Sequence, residues 1–232
     1  MTRWLTASGF LAFFVFGFTD NLKGPLLPEL LRAEQLSYAQ GGTFFLAAYL
    51  GFMLATLVTG LLADWLSNRR MLLIAGSLII GGVIVLNSSH AWNAWILCMF
   101  VIGLGLGAIE VGGNGLMVEL HPHQRARYLN LLATFHGVGS LIVPLLSAWL
   151  LSLQLSWRQV YLCSAGLAVW LVVNLLIANP QPPPPTIKPP AVKPAAAKLW
   201  SVVLRLAFNL RMSVYYVLIA AYVAVELGVA AW

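Results

Sequence analysis

The sequence predicts an all-α, polytopic membrane protein, and three observations carry that expectation. Of the 232 residues, 60% are hydrophobic and only 9% are charged, a balance outside that of ordinary soluble domains. Apolar windows long enough to cross the bilayer as helices, which takes about twenty residues, recur seven times, at 8–31, 38–63, 71–89, 93–118, 128–152, 157–178 and 211–232. Lys and Arg then fall almost entirely on one set of connecting segments. With the N-terminus in the cytoplasm, ten cations (Arg3, Arg69, Arg70, Arg125, Arg127, Lys188, Lys193, Lys198, Arg205 and Arg211) lie on the inner side, and only Arg32 and Arg158 on the outer. That asymmetry orients the chain, because cytoplasmic loops collect basic residues.

The same composition excludes several function classes. The net charge of +6 is a topology signal in short loops and not a nucleic-acid footprint. Cys98 and Cys163 each sit inside an apolar window, so the spacing offers no disulfide framework and no metal-ligand set. The first window is too long for the apolar region of a signal peptide and stays as the first span. An embedded enzyme needs a nucleophile and base, or a metal cluster, at one depth. The four histidines are scattered between an outer loop, an inner loop and span five. Neither enzymatic chemistry nor a cofactor is expected, and His121 and His123 around Pro122 make a poor chelate.

Taken in order, span one reads GFTDNLKGPLLPEL from Gly17, with Asp20 and Lys23 on one face and Asn21 beside them. A carboxylate and an ammonium at i and i+3 partly neutralise each other, and Gly24, Pro25 and Pro28 interrupt the helix ladder just beyond, as is tolerated where backbone lines a cavity. Span two carries Ala47, Gly51, Ala55, Thr59 and Ala63 at steps of four, a small-residue stripe that lets helices approach closely; Ala133 and Gly137 suggest the same for span five. The loop after span two, GLLADWLSNRR, places Gly60, Asp64, Arg69 and Arg70 so that acid and base can pair across a turn and re-pair when helices move, a gate element.

Span four is GLGLGAIEVGGNGLMVEL from Gly103, with Glu110 in its middle and Asn114 one turn later on the same face. An ionisable group at bilayer depth costs roughly 2.5 to 3.5 kcal/mol or more and usually faces a wet path where it does a job. Span five adds Asn130, His136 and Ser140 ahead of Pro144. Residues 179–198, rich in Pro and Lys, read as a solvated cytoplasmic linker. Residues 199–210 read as an interfacial segment leading into span seven, where Glu226 lies at a depth from which it can pair with Lys23 across a cavity.

Laying span four over span one with an offset of ninety residues puts Glu110 on Asp20, Gly107 on Gly17, Leu116 on Leu26 and Glu119 on Glu29. Three helices followed by three more of opposite sense form a 3+3 inverted repeat, the device by which transporters place a site near the midplane.

On these residues the chain resembles the major facilitator superfamily. That family's loop pattern is matched at Gly60, Asp64, Arg69 and Arg70, with departures at Trp65, Ser67 and Asn68. The Glu110-to-Asn114 stretch, LNLLATFHGVGSLIVPLL in span five and YVAVELGVAAW in span seven are similar to the fucose:proton symporter group of sugar transporters. The resemblance implies a six-helix N-terminal bundle over 1–178, the linker at 179–198, and the first helix of a truncated C-terminal bundle within 199–232. It implies proton-coupled sugar uptake by alternating access, with Glu110 and Asp20 as the coupling acids. Asn114 follows as a sugar contact, to which the polar stretches add Asn21, Lys23, Asn130, His136 and Glu226. The expected partners are a small solute, the lipid of the cell membrane and the remaining half of the same protein. A drug or metabolite:proton antiporter is the nearest alternative, and a membrane-embedded enzyme or an assembly protein the more distant one.

Overall fold

A computed structural model describes residues 2–63, 65–178, 209, 213–218 and 221. The chain divides into two compact units, Met1–Asn179 and Pro180–Trp232. The first holds α1 (Thr2–Asn21), α2 (Lys23–Ala33), α3 (Tyr38–Leu62), α4 (Asn68–Ser88), α5 (Trp92–Leu120), α6 (Arg125–Ser152) and α7 (Trp157–Ile177). In the second, residues 213–218 are helical. Asp64, Glu226, the linker and most of the seventh window lie outside the described residues.

Helices α1 and α2 together make span one, and α3 to α7 are spans two to six; all six are long and apolar enough to cross a membrane. Span one begins at Thr2 rather than residue 8, because TRWLTA contains no helix breaker and merely lacks the hydropathy by which a span is recognised. Its interruption falls at Leu22. Pro25 has no N–H for the Asn21 carbonyl and its ring crowds that group, so the ladder parts one residue beyond Asn21 and resumes at Lys23.

Two turns at the same end of the bundle are built alike, from QLSYAQ and QLSWRQ. Gln35 and Gln154 adopt positive φ, and the amides of Leu36 and Leu155 donate back to Leu31 and Leu150, closing each helix with a left-handed residue. Ser37 and Ser156 then open α3 and α7 with capping boxes completed by Gln40 and Gln159, which satisfy the first orphan amides reciprocally.

Packing reveals the repeat. Helix α1 packs against α6, and α3 against α5; α5 and α1 each meet one of α4 and α7 as well as each other. Exchanging the first three spans for the second three maps α1–α6 onto α3–α5, α4–α5 onto α1–α7, and the α1–α5 contact onto itself. Residues 11–26 and 101–116 run through the same succession of buried and partly buried positions at all sixteen sites. The two seams close on glycine. A β-carbon on Gly17 would collide with the His136 carbonyl, and one on Gly139 would press on α1 at Phe14; across the other seam, Gly51 and Gly103 lie against the backbones of Phe100 and Ala48. Backbone contact of this kind substitutes for hydrophobic drive inside lipid. In α3 the small-residue stripe is buried from Ala47 to Thr59. In α6 the expectation needs correction: Ala133 and Gly137 are exposed, with open space at Gly137, and the seam is made by Gly139.

At the end opposite Arg69 and Arg125, Arg158 ties four spans together. Its guanidinium bonds Glu34 at 3.0 Å and the carbonyls of Leu86 at 3.1 Å and Ser89 at 2.5 Å, between the rings of Trp95 and Trp157 at 4.8 and 4.7 Å. The orphan carbonyls that end α4 thus receive a cation, which also suits the helix dipole.

Candidate functional site

Span one brings Asp20 and Lys23 together across the α1–α2 break. The ammonium lies 2.5 Å from the Asp20 carboxylate and over the rings of Tyr49 and Phe45 of α3, at 4.4 and 5.9 Å. Lys23 is 4% exposed, while the Asp20 side chain keeps 25% of its surface open. The cation is therefore enclosed, and the carboxylate forms the accessible edge of the pair. A buried ion needs such a partner, since an uncompensated one costs several kcal/mol. Next to it, the Asn21 amide donates to the Gly17 carbonyl at 2.9 Å and to the Ser140 hydroxyl at 2.8 Å. Ser140 donates in turn to the His136 carbonyl at 3.1 Å. The His136 ring stands edge-on to Phe16, centroids 4.6 Å apart. The close approach at Gly17 is what lets this α1–α6 polar chain form.

Span four presents the counterpart. Glu110 is partly buried on α5, and the Asn114 amide donates to its carbonyl at 2.8 Å and to its carboxylate at 3.1 Å. Asp20 is bonded by an ammonium and Glu110 by an amide. The repeat-equivalent of Lys23 is Gly113, and the space a side chain would take there is filled by the ring of Phe13. The two halves match in burial and differ in charge.

The remaining predicted residues are dispersed. Asn130 is exposed nearer the basic end of α6, where its carbonyl accepts from Thr134 at 3.0 Å. The pairing of Lys23 with Glu226 involves a residue outside the described ones, and Lys23 is engaged by Asp20. Gly60, expected in the loop after span two, lies instead in the last turn of α3, exposed and with open space around it. Asp64 lies outside the described residues. Arg69 donates from two nitrogens to the Leu175 carbonyl, at 2.9 and 2.6 Å, capping the end of α7. The Arg70 amide donates to Ser67 at 3.4 Å. Asn68, read above only as a departure from the loop pattern, donates to Glu119 at 2.8 Å and fastens α4 to the end of α5.

Three features escaped the sequence reading. Tyr49 and Phe45, at i and i+4 on α3, carry a spacing signal but no hint that they cover a cation. Tyr161 of α7 is buried, its hydroxyl without a hydrogen-bond partner among the described residues. His121, at the end of α5, meets Thr6 at 2.8 Å and stacks on Tyr128 with centroids 3.5 Å apart; burial holds its imidazole below the ordinary histidine value. None of these contacts has a local signature.

A helical bundle with pseudo-symmetric halves, each holding a carboxylate inside an apolar span, is the architecture of a multi-pass membrane protein. Residues 9–232 match the profile of the Major Facilitator Superfamily, and the chain belongs to that family. It is 28% identical over 160 residues to the Protein TsgA homolog of Erwinia tasmaniensis, covering 68% of this chain and 41% of that protein. To the L-fucose-proton symporter of Escherichia coli it is 28% identical over 134 residues, covering 56% and 31%. The solved D-xylose-proton symporter superposes with a TM-score of 0.67 at 14% identity, over 90% of this chain and 53% of that one, a likeness of fold. The chain spans less than half the length of these curated relatives.

Proposed function

We propose that this chain belongs to a secondary active transporter that couples movement of a sugar-like solute to protons by alternating access. The observation that carries the reading is the pair of partly open carboxylates, Asp20 and Glu110, at equivalent positions of the repeat on contacting spans. Burial in a low-dielectric site favours the neutral form of a carboxyl, so proton loading follows which side of the protein is open. Glu110, whose bonded partner is an amide, is the principal proton carrier, and Asp20 assists. Asn114, Asn21, Lys23, Asn130, His136 and, in span seven, Glu226 supply donors and acceptors to solute hydroxyls. Gly60, Asp64, Arg69 and Arg70 form the gate at the basic end. Rocking of one bundle against the rest of the protein exposes the site alternately. The protein sits in the cell membrane with its N-terminus and residues 179–210 in the cytoplasm, and it acts as a carrier, not an enzyme.

Uptake of labelled sugars into vesicles carrying the full-length protein, with and without an imposed pH gradient, tests this. Gradient-dependent accumulation that is lost in Glu110→Gln supports it; accumulation that survives Glu110→Gln removes Glu110 as the coupling acid. The rings of Phe45, Tyr49, Phe16 and Phe52 near the site favour a drug:proton antiporter as the second reading. Gradient-driven efflux of an aromatic cation in place of any sugar uptake would select it.

A further inference from the structure

The pairing of Lys23 with Asp20 points to the chemical class of the solute. Resting on the transport reading above, we propose that the solute is an anion, a sugar acid or similar polyhydroxy carboxylate, and that Asp20 occupies the solute's carboxylate position on Lys23 while the site is empty.

The argument starts from the asymmetry of the repeat. Packing alone does not require a cation at this position, since the equivalent Gly113 site is filled by the Phe13 ring. Lys23 is nevertheless kept, 4% exposed, with its charge over Tyr49 and next to Asp20. A buried ammonium tolerates neither loss of its counter-ion nor a second one without compensation. The carboxylate of Asp20 is the open member of the pair, so a proton from solution reaches it before an anion can reach the enclosed ammonium.

The exchange balances in charge and atoms. In the empty site Lys23 and Asp20 sum to zero. One proton from solution adds to the Asp20 carboxylate, its bond to the ammonium breaks, and the solute carboxylate forms the new ion pair with Lys23; the sum is again zero. Binding the anion without the proton leaves one excess negative charge in a low-dielectric pocket, and binding the proton without the anion leaves one excess positive charge. The two ligands therefore stabilise each other, which is coupling by linkage. A neutral sugar gains nothing from this device. Among the described residues, the titratable groups on the spans packed against α1 and α2 include Tyr49 of α3, Glu110 of α5, His136 of α6 and Tyr161 of α7, and none of these four is a permanent cation. The Asn21–Ser140 chain beside the pair offers hydroxyl-binding groups one residue away.

The test uses the full-length protein in proteoliposomes with an imposed pH gradient and two matched series, neutral aldoses and the corresponding aldonates and uronates. The acids are expected to accumulate and to outcompete the neutral sugars. Lys23→Met is expected to lower acid uptake at least ~30-fold, in the range found for truncating one member of a buried charge pair, while Lys23→Arg retains most of it. Should Lys23→Met fail to insert, the double variant Asp20→Asn with Lys23→Met removes both charges and leaves no orphan ion; it too is expected to lose acid uptake. Gradient-driven uptake of neutral sugars that the acids neither share nor inhibit would overturn this inference and leave the transport reading standing. Acid uptake undiminished in the double variant would overturn it as well. No gradient-driven uptake of either series would overturn both.

Discussion

Helix pair α1–α2 and helix α5 share a succession of buried and partly buried positions, yet they hold their carboxylates by different means. Asp20 has an ammonium over aromatic rings, and Glu110 has the amide of Asn114. The difference teaches that the repeat fixes where an acid stands, while one neighbouring residue decides what bonds it. Lys23 gives Asp20 an ammonium as its partner. Asn114 can donate to an ionised Glu110 and, through its own oxygen, accept from a protonated one. Two sites equivalent in the fold thereby take unequal roles.

Four experiments break or sharpen that comparison. The largest effect is expected in the charged half. Lys23→Met strands a carboxylate and should destabilise the bundle by about 3–5 kcal/mol, whereas adding Asp20→Asn should recover most of that loss; unfolding in detergent-lipid micelles measures both, and a double variant no more stable than the single one breaks the pairing. The second tests the seams that place both acids. Gly17→Val and Gly103→Val drive a side chain into a facing backbone and should each cost at least about 1–3 kcal/mol, while Gly137→Ala, in open space, should change stability by less than about 0.5 kcal/mol. The third addresses the neutral half: Asn114→Ala removes one amide from Glu110 and should cost about 1 kcal/mol, well below the Lys23 effect. Equal costs in the two halves would contradict the division of roles.

The smallest effect lies at the basic end. Burial lowers the affinity of His121 for a proton in the folded protein relative to the unfolded chain. Its contribution is therefore present above about pH 6.5, the value of an unperturbed histidine, and is lost as pH falls through the lower folded value. Melting curves from pH 8 to pH 5 should show an acid-side decline that His121→Gln shallows.

How much of this was legible beforehand varies with range. Five spans could be read to within a few residues because each is a local run of apolar side chains, while the start of the first was placed six residues late. The acids and their repeat could also be read, since a charge inside such a run is conspicuous on any alignment. The interruption of span one fell at Leu22, just ahead of the Gly24–Pro25 pair that causes it. Other features had no local trace. Gly139, not Gly137, forms the seam because the rotation of α6 is set by the helix it packs on. Arg158 looked like one outer cation, and its partners Glu34, Ser89 and Trp95 come from three other segments. Arg69 looked like half of an acid–base pair, and it reaches Leu175 of α7.

The sequence by itself determined that this is a helical membrane protein with carboxylates at two repeat-related positions, because hydropathy and the cost of a buried charge act residue by residue. Only the tertiary structure decided that Lys23 is enclosed under Tyr49, that Asn21 reaches Ser140, and that the two acids have unlike partners. Such contacts depend on which faces of neighbouring helices meet, and the glycine seams that set those faces derive their meaning from the backbones across from them.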